Sequence, residues 1–155
     1  MSFRHQFDDS NVILDLESST KEDALGEMVD HLVHSRRLTR KQAPAILQAI
    51  LEREGQGATG VGKGVALPHA KSPELKKIQT LLARSSAGID FDAADHKPVT
   101  IFFLVLSPEQ TPEEHIKVLR WISSLARQAD FRSFVMQATT VQEILGLLEE
   151  FDSGA

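Results

Sequence analysis

The sequence predicts an α/β domain, a mixed β-sheet flanked by α-helices. Two amphipathic helical patterns come first, and a β-branched and aromatic run lies at Val99–Leu106. Further helical patterns follow, and no linker, repeat or low-complexity tract divides them. The 155 residues suffice for one domain with a real hydrophobic core. Its expected bounds are residues 10–151, with 1–9 and 152–155 as flexible termini.

The first helix is expected over Thr20–Ser35, where Leu25, Met28, Val29, Leu32 and Val33 recur at helical spacing. Ser19 and Glu22 have the spacing of a capping box. A second helix is expected from Arg40 to Glu54, capped by Thr39 and Gln42, with Ala43, Ile46, Leu47, Ile50 and Leu51 inward. Pro44 lies near enough to its start to be tolerated with a distorted first turn. A glycine-rich loop leads to a short strand, Val65-Ala66-Leu67. Ile78–Arg84 is a second strand, Ile89-Asp90-Phe91 a brief edge segment and Asp95-His96-Lys97-Pro98 a turn. Val99–Leu106 reads as a central strand buried on both faces. The next helix starts at Thr111 as N-cap, with Pro112 at N1 and Glu114 at N3. It should carry Ile116, Val118, Leu119, Ile122, Leu125 and Ala126 inward. Asp130–Gln137 and Thr140–Phe151 close the chain, the latter with Thr140 and Glu143 as its capping box.

Composition removes several function classes. With no cysteine, disulfides, thiolate catalysis and cysteine-bound metal are excluded. A net charge of −5 without a basic stripe argues against a nucleic-acid surface, and Arg36-Arg37 with Arg40-Lys41 reads as a solvated face. The N-terminus shows no signal-peptide pattern, and no apolar run is long enough to span a membrane. A cytoplasmic protein without membrane insertion is the expectation.

Chemistry concentrates in one stretch. Five glycines fall within residues 55–64, and a short apolar run then ends at Pro68-His69. Glycine lets backbone amides approach an anion closely. His69, stiffened by the preceding proline, is a candidate nucleophile toward phosphorus; a loop histidine capping a carbonyl is the alternative. Gly55-x-Gly57-x-x-Gly60 matches a dinucleotide-binding pattern in letters only, because a helix precedes it and a strand follows. Gly57-x-x-x-x-Gly62-Lys63-Gly64 lacks the hydroxyl and the following helix of a P-loop. His115 falls in the first turn of a helix whose dipole favours the neutral imidazole; plain exposure beside Glu113 and Glu114 is the alternative. Arg53 can hydrogen-bond a phosphoryl group or complement the dipole of its own helix. His31 and His34 stand one turn apart but lack a third metal ligand nearby, and His5 and His96 read as terminus and turn residues. No metal or other cofactor is expected.

Arg53-Glu54 followed by Ala58-Thr59-Gly60-Val61-Gly62-Lys63-Gly64-Val65-Ala66-Leu67-Pro68-His69 closely resembles the active-site segment of enzyme IIA domains of the fructose, mannitol and nitrogen-regulatory type. These belong to the phosphoenolpyruvate-dependent phosphotransferase system. Gly88-Ile89-Asp90-Phe91-Asp92-Ala93, Pro98-Val99 with its strand, His115-Ile116 with Val118-Leu119, and Asp130-Phe131-Arg132 follow in matching order. The resemblance implies a phosphotransferase component with His69 as phosphoacceptor and His115 supporting the phosphoryl group. Arg53 and the amides around Thr59 and Gly60 would bind that group. It implies the carrier HPr as donor and a IIB domain or regulated proteins as partners. Two positions depart from the pattern: Ala70 replaces a usual glycine and Lys63 a frequent asparagine. The expected role is a stand-alone nitrogen-regulatory type, with a sugar-transport IIA or a non-catalytic regulatory module as alternatives.

Overall fold

The apolar run at Val99–Ser107 becomes the central strand of a six-stranded mixed sheet in the computed structural model, which describes residues 2–152. The strands are β1 (Val12–Ile13), β2 (Gly60–Gly62), β3 (Val65–Ala66), β4 (His69–Lys71), β5 (Gln79–Ile89) and β6 (Val99–Ser107). The helices are α1 (Lys21–His34), α2 (Ala43–Gly55), α3 (Pro112–Ala126), α4 (Ala129–Gln137) and α5 (Val141–Glu150). The sheet runs β1-β5-β6-β3-β2, and β4 also pairs with β6. Antiparallel β5 and β6 form its centre, while β3 and β4 both run parallel to β6.

The period-2 alternation of the strands feeds two cores. Leu82, Ile101, Phe103 and Val105 face α3–α5, meeting Trp121, Ile122, Phe131, Ile144 and Leu148. Leu81, Ala83, Phe102, Leu104 and Leu106 face α1 and α2, meeting Leu25, Met28, Leu32, Ile46 and Ile50. Burial on both faces explains why β6 is continuously apolar from Ile101 to Leu106 instead of alternating.

Several expectations need correction. Residues 1–9 were expected to be flexible, yet Phe3 and Phe7 are core residues, with ring centroids 6.3 and 6.0 Å from that of Trp121. Buried Asn11 fastens this segment by donating to the carbonyls of Gln6 and Thr80, each at 2.8 Å. Residues 153–155 lie outside the described residues, and Asp152 accepts from Trp121 Nε1 at 2.9 Å. Helix α1 is capped one residue later than expected, Thr20 Oγ1 accepting from the Asp23 amide at 3.3 Å. Thr39 and Gln42 do form a reciprocal box, at 3.0 and 3.1 Å. Regular helix begins only at Ala43, because Pro44 has no N–H to extend the first turn. Thr111 occupies the N-cap of α3, but its hydroxyl does not cap the helix. Ile116 is 47% exposed, whereas His115 and Trp121 turn inward. In α5 Thr140 accepts from the Glu143 amide at 3.1 Å, and the Glu143 carboxylate reaches back to Thr139. The segment Ile89-Asp90-Phe91 is not separate, since β5 runs through a bulge to Ile89.

Candidate active site

Strands β3 and β4 keep a single register against β6: Val65 pairs with Ile101, Ala66 with Phe102, His69 with Val105 and Lys71 with Ser107. They are one strand interrupted at Leu67-Pro68, where proline offers no N–H to the ladder. The expected strand therefore stopped too early, and His69 lies on a strand, not a loop. Along this interrupted strand, Val65, Leu67, His69 and Lys71 share a face, and the first two pack into the core beneath α3–α5. His69 accordingly meets His115 of α3, their ring centroids 5.5 Å apart and the ring planes inclined at 53°.

The two histidines line a cleft of about 460 Å³ between α2 and α3. Arg53 and Glu52 come from α2, Gln56 from the residue that follows it, Lys71 from β4, and Ile116 and Leu119 from α3. His69 Nδ1 lies 2.7 Å from the Leu67 carbonyl. A carbonyl only accepts, so Nδ1 carries the proton and Nε2 keeps its lone pair. His115 Nδ1 lies 2.5 Å from Ser107 Oγ, and both side chains are buried.

Both imidazoles are held neutral at pH 7. Burial is the main cause of lowering at His69, assisted by the positive charges of Arg53 and Lys71 and opposed by the Leu67 hydrogen bond and Glu54. His115 is pushed down to about 4, again chiefly by burial and then by His69 and Lys71. Burial and neighbouring positive charge thus account for the neutrality that sequence reasoning traced to the helix dipole.

The glycine stretch forms one edge of the sheet. Thr59 donates its amide (3.3 Å) and its hydroxyl to Glu54, which also pairs with Lys21 Nζ at 2.7 Å. Gly60 is in the β2–β3 ladder, where an added Cβ would come within 2.9 Å of Ala93. Neither residue lines the cleft. The segment forms a hairpin with β3, turned at Gly62, Lys63 and Gly64 with φ of 91°, 60° and 79°. The Lys63 amide donates to Asp95 at 3.0 Å, and its side chain is exposed away from the cleft. Arg53 does reach the cleft while its Nη1 donates to the Gly57 carbonyl at 2.7 Å. Ala70 pairs with Leu106 inside a strand and does not have positive φ, so the missing glycine brings no strain. His31 Nε2 and His34 Nδ1 each lie near a backbone carbonyl, of Ser10 at 3.0 Å and Asp30 at 2.8 Å. Arg37 pairs with Asp8 at 2.9 Å instead of forming an open basic patch.

Lys71 and Ser107 escaped the sequence reading. Two-residue spacing from His69, and from Val105 on β6, would have identified both, had the strand been continued past Pro68.

Residues 5–151 match the family model for the phosphoenolpyruvate-dependent sugar phosphotransferase system, EIIA 2. A fructose-specific EIIA component of the phosphotransferase system of Haloferax volcanii is 38% identical over 132 residues, 85% of this chain and 84% of that protein. A nitrogen regulatory protein of Bradyrhizobium diazoefficiens is 37% identical over 133 residues, 86% and 85% of the two chains. The crystal structure of nitrogen regulatory protein IIA-Ntr from Neisseria meningitidis superposes with a TM-score of 0.82 at 29% identity, covering 90% of this chain and 93% of that one. Among the described residues no helix is long and apolar enough to cross a membrane. With its mixed sheet, its paired histidines and a match over nearly its whole length, the chain belongs to the EIIA 2 family of the phosphoenolpyruvate-dependent sugar phosphotransferase system.

Proposed function

We propose that the protein is a phosphoryl carrier whose acceptor atom is His69 Nε2. The observation that carries this reading is the 2.7 Å contact from His69 Nδ1 to the Leu67 carbonyl, which leaves Nε2 as a neutral nucleophile at the cleft. The Nε2 lone pair attacks phosphorus as the bond from phosphorus to the donor imidazole breaks, and that electron pair returns to the donor ring. No proton has to leave His69. The ring gains positive charge on phosphorylation, and the Leu67 carbonyl stabilises it through Nδ1–H. Arg53, His115 and Lys71 surround the space for the phosphoryl oxygens, supplying positive charge and hydrogen bonds without a metal.

The donor in this proposal is an HPr-like phosphocarrier, and a IIB domain or regulated proteins read or receive the group. Ile116, 47% exposed at the cleft rim, offers an apolar contact to such partners. A nitrogen-regulatory role fits the similarity to IIA-Ntr, and a sugar-transport role fits the fructose-specific relative. Onward transfer to a IIB cysteine distinguishes them, since only the transport role requires it.

Incubation with phosphoenolpyruvate, enzyme I and HPr, followed by intact mass, tests the carrier reading. Wild-type protein gains one phosphoryl group and His69→Ala gains none. Phosphorylation of His69→Ala, or none of the wild type, refutes it; the latter leaves a non-catalytic regulatory module.

A further inference from the structure

We propose that Ser107 is a positioning residue that fixes the tautomer of His115, so that Nε2–H of His115 is presented to the cleft as a hydrogen-bond donor. Ser107 ends β6, and its backbone is held along β4: it pairs with Lys71, and its carbonyl accepts from the Ser72 amide at 3.0 Å. The hydroxyl is therefore carried by a rigid element. It is fully buried and, among the described residues, has one hydrogen-bond partner, His115 Nδ1 at 2.5 Å.

Satisfaction of that hydroxyl decides the direction of the bond. A buried O–H without an acceptor is costly. If Nδ1–H of His115 donated to Oγ, the serine proton would have no acceptor among the described residues. If Oγ–H donates to Nδ1, both groups are satisfied and the ring proton resides on Nε2. A neutral imidazole has one N–H, so this choice determines what the cleft receives. Nε2–H offers a donor, whereas the other tautomer would turn a lone pair toward anionic oxygens and repel them.

The two histidines then have opposite tautomers, each set by the sheet. His69 has its proton on Nδ1, facing Leu67, and His115 has its proton on Nε2. One ring is a nucleophile, the other a donor to the group the nucleophile receives. That last step rests on the carrier reading; the tautomer assignment does not.

Long-range proton–nitrogen correlation spectra of the imidazoles test the assignment, with His115→Asn and His69→Ala identifying the signals. Wild-type His115 should show a protonated Nε2 and a bare Nδ1, and His69 the reverse. Ser107→Ala should leave His115 a mixture of tautomers and slow phosphoryl uptake from phospho-HPr by roughly five- to tenfold. Ser107→Thr, which keeps a hydroxyl, should restore the wild-type spectrum and most of the rate. A wild-type His115 protonated on Nδ1 overturns the inference, as does a Ser107→Ala protein whose tautomer stays wholly on Nε2. Tautomers as assigned in a protein that takes up no phosphoryl group support the role of Ser107 and remove the carrier reading instead.

Discussion

Lowering the pH from 7 to 4.5 should destabilise this protein through His115. An unfolded histidine titrates near 6.5, whereas the buried ring of His115 is pushed down to about 4. Above 6.5 both states are neutral and the ring contributes no pH dependence. Between the two values the unfolded chain binds a proton that the native protein refuses, so stability falls as pH falls. The slope approaches about 1.4 kcal/mol per pH unit, and about 2–3 kcal/mol should be gone by pH 4.5. His69, lowered in the same direction, adds to the loss. Urea unfolding across this range, for wild type and His115→Gln, isolates the effect. Carboxylates held low in the native state, such as Asp8 and Glu27, are common to both proteins and cancel in the difference. The variant starts from its own stability and should lose less on acidification, with the m-value unchanged. Parallel pH profiles would show that the ring protonates as readily in the native cleft as in water, and would refute the account of the neutral site.

Glu54→Ala should cost about 2–4 kcal/mol and lower Tm by about 5–15 °C in a thermal melt, because Thr59 loses its partner and Lys21 is left with the Phe91 carbonyl at 3.5 Å, the Phe91 ring 4.8 Å away at its centroid and Asp92 at 3.8 Å. A loss under about 1 kcal/mol would contradict that role. Gly60→Ala should cost about 1–3 kcal/mol by chemical denaturation, since its Cβ would stand 2.9 Å from the Cα of Ala93. Its phosphoryl uptake should be unchanged at temperatures where it is folded, and slowed uptake without lost stability would instead support Gly60 as a phosphate ligand. Lys63→Gly should raise stability by up to about 1 kcal/mol, because Lys63 sits at φ 60°; unchanged or lower stability would show that the turn imposes no such strain.

Much of the fold was legible because long elements repeat their signal. The stripe of α1 and the apolar run of β6 each carry one period over many residues, and both were identified to within about two residues. Short strands give too few residues to set a period. Val12–Ile13 was missed, and the Gly60–Gly62 strand was read as loop because glycine carries no pattern. The N-terminal segment gives a weak signal for a related reason: Phe3 and Phe7 are isolated apolar residues, and Trp121 and Phe103 across the fold explain them. Within the site, His69, His115 and Arg53 could be named from local motifs, and the structure brings all three to one cleft. Thr59 and Gly60 could not be judged locally. An amide in a glycine-rich loop looks available until a partner occupies it, and the Thr59 amide meets the Glu54 carboxylate only in the folded chain.

The division of labour in the cleft follows from strand register. Leu67 follows β3, His69 opens β4 and Ser107 closes β6, and the shared register of β3 and β4 against β6 places all three on the α3 side of the sheet. A slip of one residue between β4 and β6 would reverse which face each side chain occupies. It would turn His69 toward α2 while Ser107 stayed beside His115, and so split the histidine pair. The short interruption at Pro68 is thus a constraint on chemistry as well as on the ladder: it frees the Leu67 carbonyl to reach the His69 ring while the register on either side is kept. Site geometry and sheet stability are coupled here, so substitutions at the paired residues Leu106 and Ala70 are expected to disturb the histidine pair by shifting β4 along β6. Their effect should be visible as loss of the Nδ1–H signal of His69 before any loss of helical structure.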